Sequence, residues 1–162
     1  MRHIDPAKDG IDHINMYSKS NTQFGRMLSN FYACPIETQY EGKFLSVEGY
    51  WYWLSLPSSF CERERLRRLH GFLAKSTGRQ LRDACQVKGI DLRFDPKFEN
   101  KILTAIQCKL NIEKRLFLPE YKDLPIYHYY VFNGKVKDVT DDFPWLINGV
   151  SKLVAETYRQ LP

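Results

Sequence analysis

The stretch LSVEGYWYWL (residues 45–54) places one carboxylate, Glu48, ahead of four aromatic side chains, Tyr50, Trp51, Tyr52 and Trp53. Ser46 is an N-cap residue type and Pro57 cannot continue a helix, so the stretch predicts a helix over 48–56. On a helix, Trp51 and Tyr52 stand three and four residues beyond Glu48 and share its face. Trp53 points elsewhere and is assigned to the core. An acid at this place is either a first-turn residue favoured by the helix dipole or a catalytic carboxylate in an aromatic slot.

Working outward, residues 1–12 read as a loose leader with Pro6 and Gly10. Residues 13–17 read as a short strand, 18–26 as a polar loop, and 31–40 as a strand interrupted by Pro35. A turn at 41–42 returns as "KFLSV", so the first 47 residues predict a small β meander. Beyond the central stretch, Ser59 and Glu62 have capping-box spacing, which predicts a helix to about Lys75. Its apolar stripe would be Leu66, Leu69 and Phe72 or Leu73. Gly78 precedes a further short helical segment. Asp95-Pro96 opens a helix carrying Phe98, Ile102, Ile106 and Leu110 at helical spacing. Residues 125–132 are β-branched and aromatic, Asn133-Gly134 is a hairpin signal, and "KVKDV" returns. Asp141 or Asp142 then caps a last helix with Leu146, Val150, Leu153, Val154 and Leu161 on its buried face. The expectation is α+β, helix-dominated, in one domain over 13–162.

A chain of 162 residues buries enough surface to fold without disulfides or metals. The net charge of +5 and the pI near 9.0 favour phosphate-bearing partners without separating nucleic acid from nucleotide. Cys34, Cys61, Cys85 and Cys108 form no C-x-x-C pair, and His3, His13, His70 and His128 add no metal-binding spacing. No metal site or cofactor is expected. Reduced cysteines and a polar N-terminus fit a cytoplasmic protein, and no apolar run reaches the length of a membrane span.

Five segments in order resemble the NADAR (YbiA-like) family. They are "MYSKSNTQFGRMLSNFYACPIE" (16–37), "FLSVEGYWYWL" (44–54), "AKSTGRQ" (74–80), "ILTAIQCKL" (102–110) and "DDFPWLINGVSKLVAETYRQL" (141–161). The family's T/S-x-E-H-x-x-Q element aligns on Ser46 and Glu48, its A-x-x-x-G-R element on Ala74 to Arg79, and its closing D-x-x-W element on Asp142 and Trp145. The chain departs from the pattern with Gly49 for the usual His, Tyr52 for the usual Gln and Leu146 for the Gly after the tryptophan.

The resemblance implies a metal-independent N-glycosidase that cleaves the ribose C1′–N bond of ADP-ribosyl compounds. Its substrate classes include ADP-ribosylated guanine in nucleic acid and ribosyl-amine intermediates of riboflavin synthesis. Breaking that bond builds positive charge on the sugar, which a carboxylate can stabilise while orienting water. Glu48 is the candidate for that role, with Asp142 as ribose anchor or leaving-group acid, or simply as a helix cap. Trp51 and Trp145 are candidates to stack a base, Tyr52 to shape the slot, and Ser29 and Asn30 to bind ribose or phosphate hydroxyls. Arg79, placed at a helix start, and Lys109 are candidates for phosphate. The contrasting reading is a non-catalytic, basic ADP-ribose or nucleic-acid reader. For the string "CERERLRRLH" (61–70), a solvated helix face is the default.

Overall fold

The computed structural model describes residues 1–162. In chain order the elements are β1 (Ile14–Asn15), α1 (Gln23–Leu28), β2 (Ile36–Glu37), β3 (Lys43–Phe44) and α2 (Val47–Leu54). A 3-10 segment (Cys61–Arg68), α3 (Gly71–Val87) and α4 (Phe98–Ile112) follow. The chain finishes with β4 (Ile126–Tyr127), β5 (Tyr129–Phe132), β6 (Lys135–Asp138) and α5 (Pro144–Gln160). The fold is α+β and helix-dominated, and its strands pair only two at a time. The chain divides into two compact units, Met1–Ser29 with Leu110–Pro162, and Asn30–Lys109.

In the first unit the leader is not loose. Pro6–Lys8 forms a 3-10 turn capped by Asp5, and Asp9 is buried. The Asp9 carboxylate accepts from Asn15 N at 2.9 Å, Ser20 Oγ at 2.7 Å and Asn21 N at 2.8 Å. Three bonds to one carboxylate hold the following loop against β1. The expected β meander forms only in part: in the second unit β2 and β3 pair antiparallel across the 41–42 turn, Ile36 opposite Phe44, but the first strand does not join them. β1 pairs in parallel with β4, Ile14 opposite Ile126, rather than with its sequence neighbour. The Asn15 side chain also grips the Tyr129 backbone, donating to its carbonyl and accepting from its N–H, both at 3.0 Å. Within the predicted loop, Thr22 caps α1 by accepting from Gly25 N. The core of this unit gathers Phe24, Phe117, Tyr121 and Tyr158, with Phe24 edge-on to Phe117 at 5.0 Å between centroids. Leu146, Val150 and Val154 bury one face of α5, as the periodicity predicts.

In the second unit, Ser46 caps α2 as predicted. Its hydroxyl accepts from Gly49 N at 3.0 Å and donates to Leu69 O at 2.8 Å. Ser46→Ala removes both bonds, so an unfolding titration is expected to show a loss of about 1–2 kcal/mol. Phe44, Tyr50 and Trp53 pack as a triangle of rings 4.6–6.1 Å apart. The buried Tyr50 hydroxyl is satisfied by Glu41 at 2.6 Å. The expected capping box fails. The cap position is Phe60, without a side-chain bond, and Glu62 pairs with Lys88 instead. The segment is 3-10 rather than α, and extended backbone at Leu69 and His70 ends it. Of its expected stripe Leu66 is buried, whereas Phe72 and Leu73 begin the next helix and stand exposed. Part of "CERERLRRLH" is not a solvated face, because the Arg63 guanidinium lies 3.6 Å above Trp53 and Arg67 covers Phe44.

Candidate functional site

Glu48 sits in the first turn of α2, and its backbone N–H donates to Asn30 O at 2.9 Å. That bond ties the LSNFY segment to the helix start that carries the acid. The Asn30 side-chain Oδ1 is buried and has no hydrogen-bond partner. A buried acceptor left open beside a carboxylate-bearing helix start is an uncommon arrangement and suits a ligand donor.

The Glu48 side chain accepts no hydrogen bond and makes no ion pair, although three cations, Lys75, Arg79 and Arg82, act on it from α3. Desolvation pushes its pKa up to about 7, against the opposing pull of Lys75, Arg79 and Arg82. The residue as a whole retains partial solvent contact. A carboxyl poised near neutrality takes up and gives back a proton at little cost, which is the property of a general base.

The three cations stand at i, i+4 and i+7 on one face of α3, a stripe available only because α3 is a single helix. In the sequence, Gly78 reads as a break between one helix ending near Lys75 and a further short one. The structure runs through Gly78 without a break, so Arg79 is mid-helix and has no free N–H groups beside it. Lys75 and Arg82 join Arg79 on one face only because the helix is continuous. Their spacing from Arg79 would have flagged them once one helix was assumed. Arg82 also donates to Ser55 Oγ at 2.9 Å and lies 4.9 Å from the Tyr52 ring centre.

The two departures nearest Glu48 have local causes. A Cβ on Gly49 would come within 2.5 Å of the Leu66 carbonyl oxygen, so the passing 3-10 segment leaves no room for a histidine there. Tyr52 is buried, and a Cβ on Gly78 would fall 2.2 Å from its ring. The tyrosine therefore fills the α2–α3 contact. Gly78→Ala is expected to destabilise by about 2 kcal/mol through overpacking, read as a lowered denaturation midpoint with unchanged slope.

The remaining candidates are placed as follows. Trp51 is half-buried and meets Phe98 edge-on at 4.8 Å. Lys109 is wholly buried on α4, so it does not snorkel at a core edge. Ser29, Asp142 and Trp145 belong to the first unit. Ser29 is buried at the C-cap of α1, and Trp145 is half-buried in the first turn of α5. Asp142 is exposed and does not cap α5. Phe143 holds the cap position without a side-chain bond, Pro144 supplies the first helical residue, and Asp141 pairs with Arg2 at 2.9 Å. Proline at the first helical position supplies a pre-set helical φ and has no N–H to satisfy, so the helix start there is set by Pro144.

No group of three or more His, Cys, Asp or Glu side chains is arranged to hold a metal ion. An open groove of about 820 Å³ in the second unit, bordered by Trp53, Arg63, Phe94 and Asp95, does not include Glu48. No helix is long and apolar enough to cross a membrane. Compared with models of protein families, with curated proteins and with solved structures, the chain matches none.

Proposed function

We propose that the protein is an N-glycosidase that hydrolyses the ribose C1′–N bond of ADP-ribosyl compounds, with Glu48 as the general base. The single observation that carries this reading is a desolvated carboxyl, its pKa raised to about 7, on a partly exposed residue at a helix start, with Lys75, Arg79 and Arg82 acting on it. The five-segment resemblance supplies the reaction class. In the hydrolysis, a water oxygen bonds to C1′ while its proton passes to Glu48. The C1′–N bonding pair leaves with the nitrogen, which takes up a proton. The cationic stripe on α3 suits the phosphates of such a substrate. Asn30 Oδ1 is the available acceptor for a ribose hydroxyl.

The test is incubation with guanine-ADP-ribosylated DNA and, separately, with NAD and a ribosyl-amine flavin precursor. Release of free ADP-ribose or of the free sugar is followed by mass spectrometry. Turnover of the modified DNA supports the full reading. Turnover of the ribosyl-amine alone keeps the reaction and moves the substrate. Silence on all of them, with retained ADP-ribose binding, would replace the enzyme by a reader.

A further inference from the structure

The β5–β6 hairpin of the first unit takes no part in the Glu48 reading, and its two faces differ. In an antiparallel ribbon, directly opposed residues project to the same side and successive residues to opposite sides. The register opposes Tyr130 to Lys137 and Phe132 to Lys135. One face therefore carries two rings, each with an ammonium group beside it. Tyr129, Val131, Val136 and Asp138 fall on the other face. The ring row extends past the hairpin, since Tyr17 meets Tyr130 edge-on at 5.3 Å, and Phe132 lies 6.3 Å from Tyr130. Phe132 is 61% exposed. Lys135 and Lys137 are exposed and enter no ion pair. The nearby acid, Asp138, is turned away to Arg2 and Thr140. A tight turn with positive φ at Asn133 (48°) and Gly134 (75°) sets this register.

We propose that this face binds single-stranded nucleic acid, a base stacking on Phe132 and neighbouring phosphates meeting Lys135 and Lys137. The fit is one of shape and charge together. The two lysines stand two residues apart, about 7 Å along the strand, and alternate with flat apolar rings. The matching partner is polyanionic and carries unstacked rings, which a single strand provides. Bases in a duplex are already stacked, and a lipid headgroup layer or an acidic peptide offers the charge without the ring. The chain's net charge of +5 draws in any such polyanion. The proposal rests on the hairpin alone and stands or falls separately from Glu48.

The test uses the full chain and an unmodified, fluorescein-labelled oligo-dT strand, followed by fluorescence anisotropy from about 50 to 200 mM salt. Phe132→Ala is expected to raise Kd roughly 5- to 100-fold. Lys135→Ala with Lys137→Ala is expected to reduce the slope of log K against log salt by about 1.4. Lys152→Ala, an exposed lysine of α5, is the control and leaves both unchanged. Phe132→Trp keeps the affinity, and its added indole emission is quenched on binding. Circular dichroism of each variant reports the fold. Glu48→Gln binds the strand as the wild type does, so loss of turnover and loss of strand binding are separable. The proposal is overturned by absence of oligo-dT binding, or by binding indifferent to Phe132→Ala. Equal affinity for a duplex or for phosphatidylserine vesicles would also overturn it.

Discussion

Glu48→Gln is expected to lower turnover of the cleavable substrate by two to four orders of magnitude while leaving the far-ultraviolet circular dichroism unchanged. General-base catalysis by a positioned side chain contributes about 10²–10⁴-fold, and glutamine cannot take the proton. The substitution preserves shape. The first-turn position needs no charge, because the cap bonds come from Ser46 and the backbone contact to Asn30 uses the Glu48 N–H. In the wild type, kcat is expected to rise with pH through about 7, where Glu48 loses its proton. A variant that retained near-normal turnover would remove Glu48 from the mechanism, whatever the substrate proved to be.

The same substitution has a second large effect, on stability. The Glu48 carboxyl has a pKa of about 7 in the fold against an ordinary value of 4.5. Between those two values the folded chain binds a proton that the unfolded chain has released. Stability supplied by the protonated group is complete below pH 4.5, is lost as pH rises towards 7, and stays lost above it. The span corresponds to at most about 3 kcal/mol, since each pH unit is worth 1.36 kcal/mol. Partial solvent contact at Glu48 lowers the figure actually realised. Glu48→Gln removes the penalty, so the variant is expected to unfold roughly 5–10 °C higher than the wild type at pH 8 and to match it near pH 4.5. Carboxylates held below the ordinary range act with the opposite sign and in a lower window. Glu64, whose bond to Arg67 depresses it, is one of them. The difference between wild type and variant cancels such groups. A difference in melting temperature that does not change from pH 5 to pH 8 would show that Glu48 is not desolvated.

These two effects share one cause. Burying an ionisable group beside cations that do not reach ion-pair distance leaves its charge uncompensated, which costs stability and tunes reactivity. The second unit carries that strain on α2, with the Ser46 cap and the Phe44–Tyr50–Trp53 ring cluster holding the helix in place.

What could be read in advance divides along physical lines. Ser46 as a cap, α2 behind it, the Asn133-Gly134 hairpin and the apolar face of α5 were legible because each depends on residues within a turn or two. The partner of β1 was not legible. Two residues of strand carry too little pattern to select a register, and the choice fell to β4 through the Asn15 clamp on Tyr129. The unbroken run of α3 was hidden by Gly78, which resembles punctuation. Its absent side chain instead makes room for the Tyr52 ring from another helix. The Ser59–Glu62 spacing misled in the opposite sense: the segment is a 3-10 helix that starts at Cys61 with Phe60 at the cap position, so Ser59 lies outside the first turn.

The sequence by itself determined that Glu48 opens a helix, that its neighbours are aromatic, and that the fold mixes short strands with dominant helices. Only the tertiary structure decided that Glu48 is desolvated under Lys75, Arg79 and Arg82, that Tyr52 packs on Gly78, and that Asp142 is an exposed residue instead of a cap. Helix starts and tight turns are set by bonds between near neighbours in the chain. Desolvation and the electrostatic field at a carboxylate are summed over residues that only folding brings together.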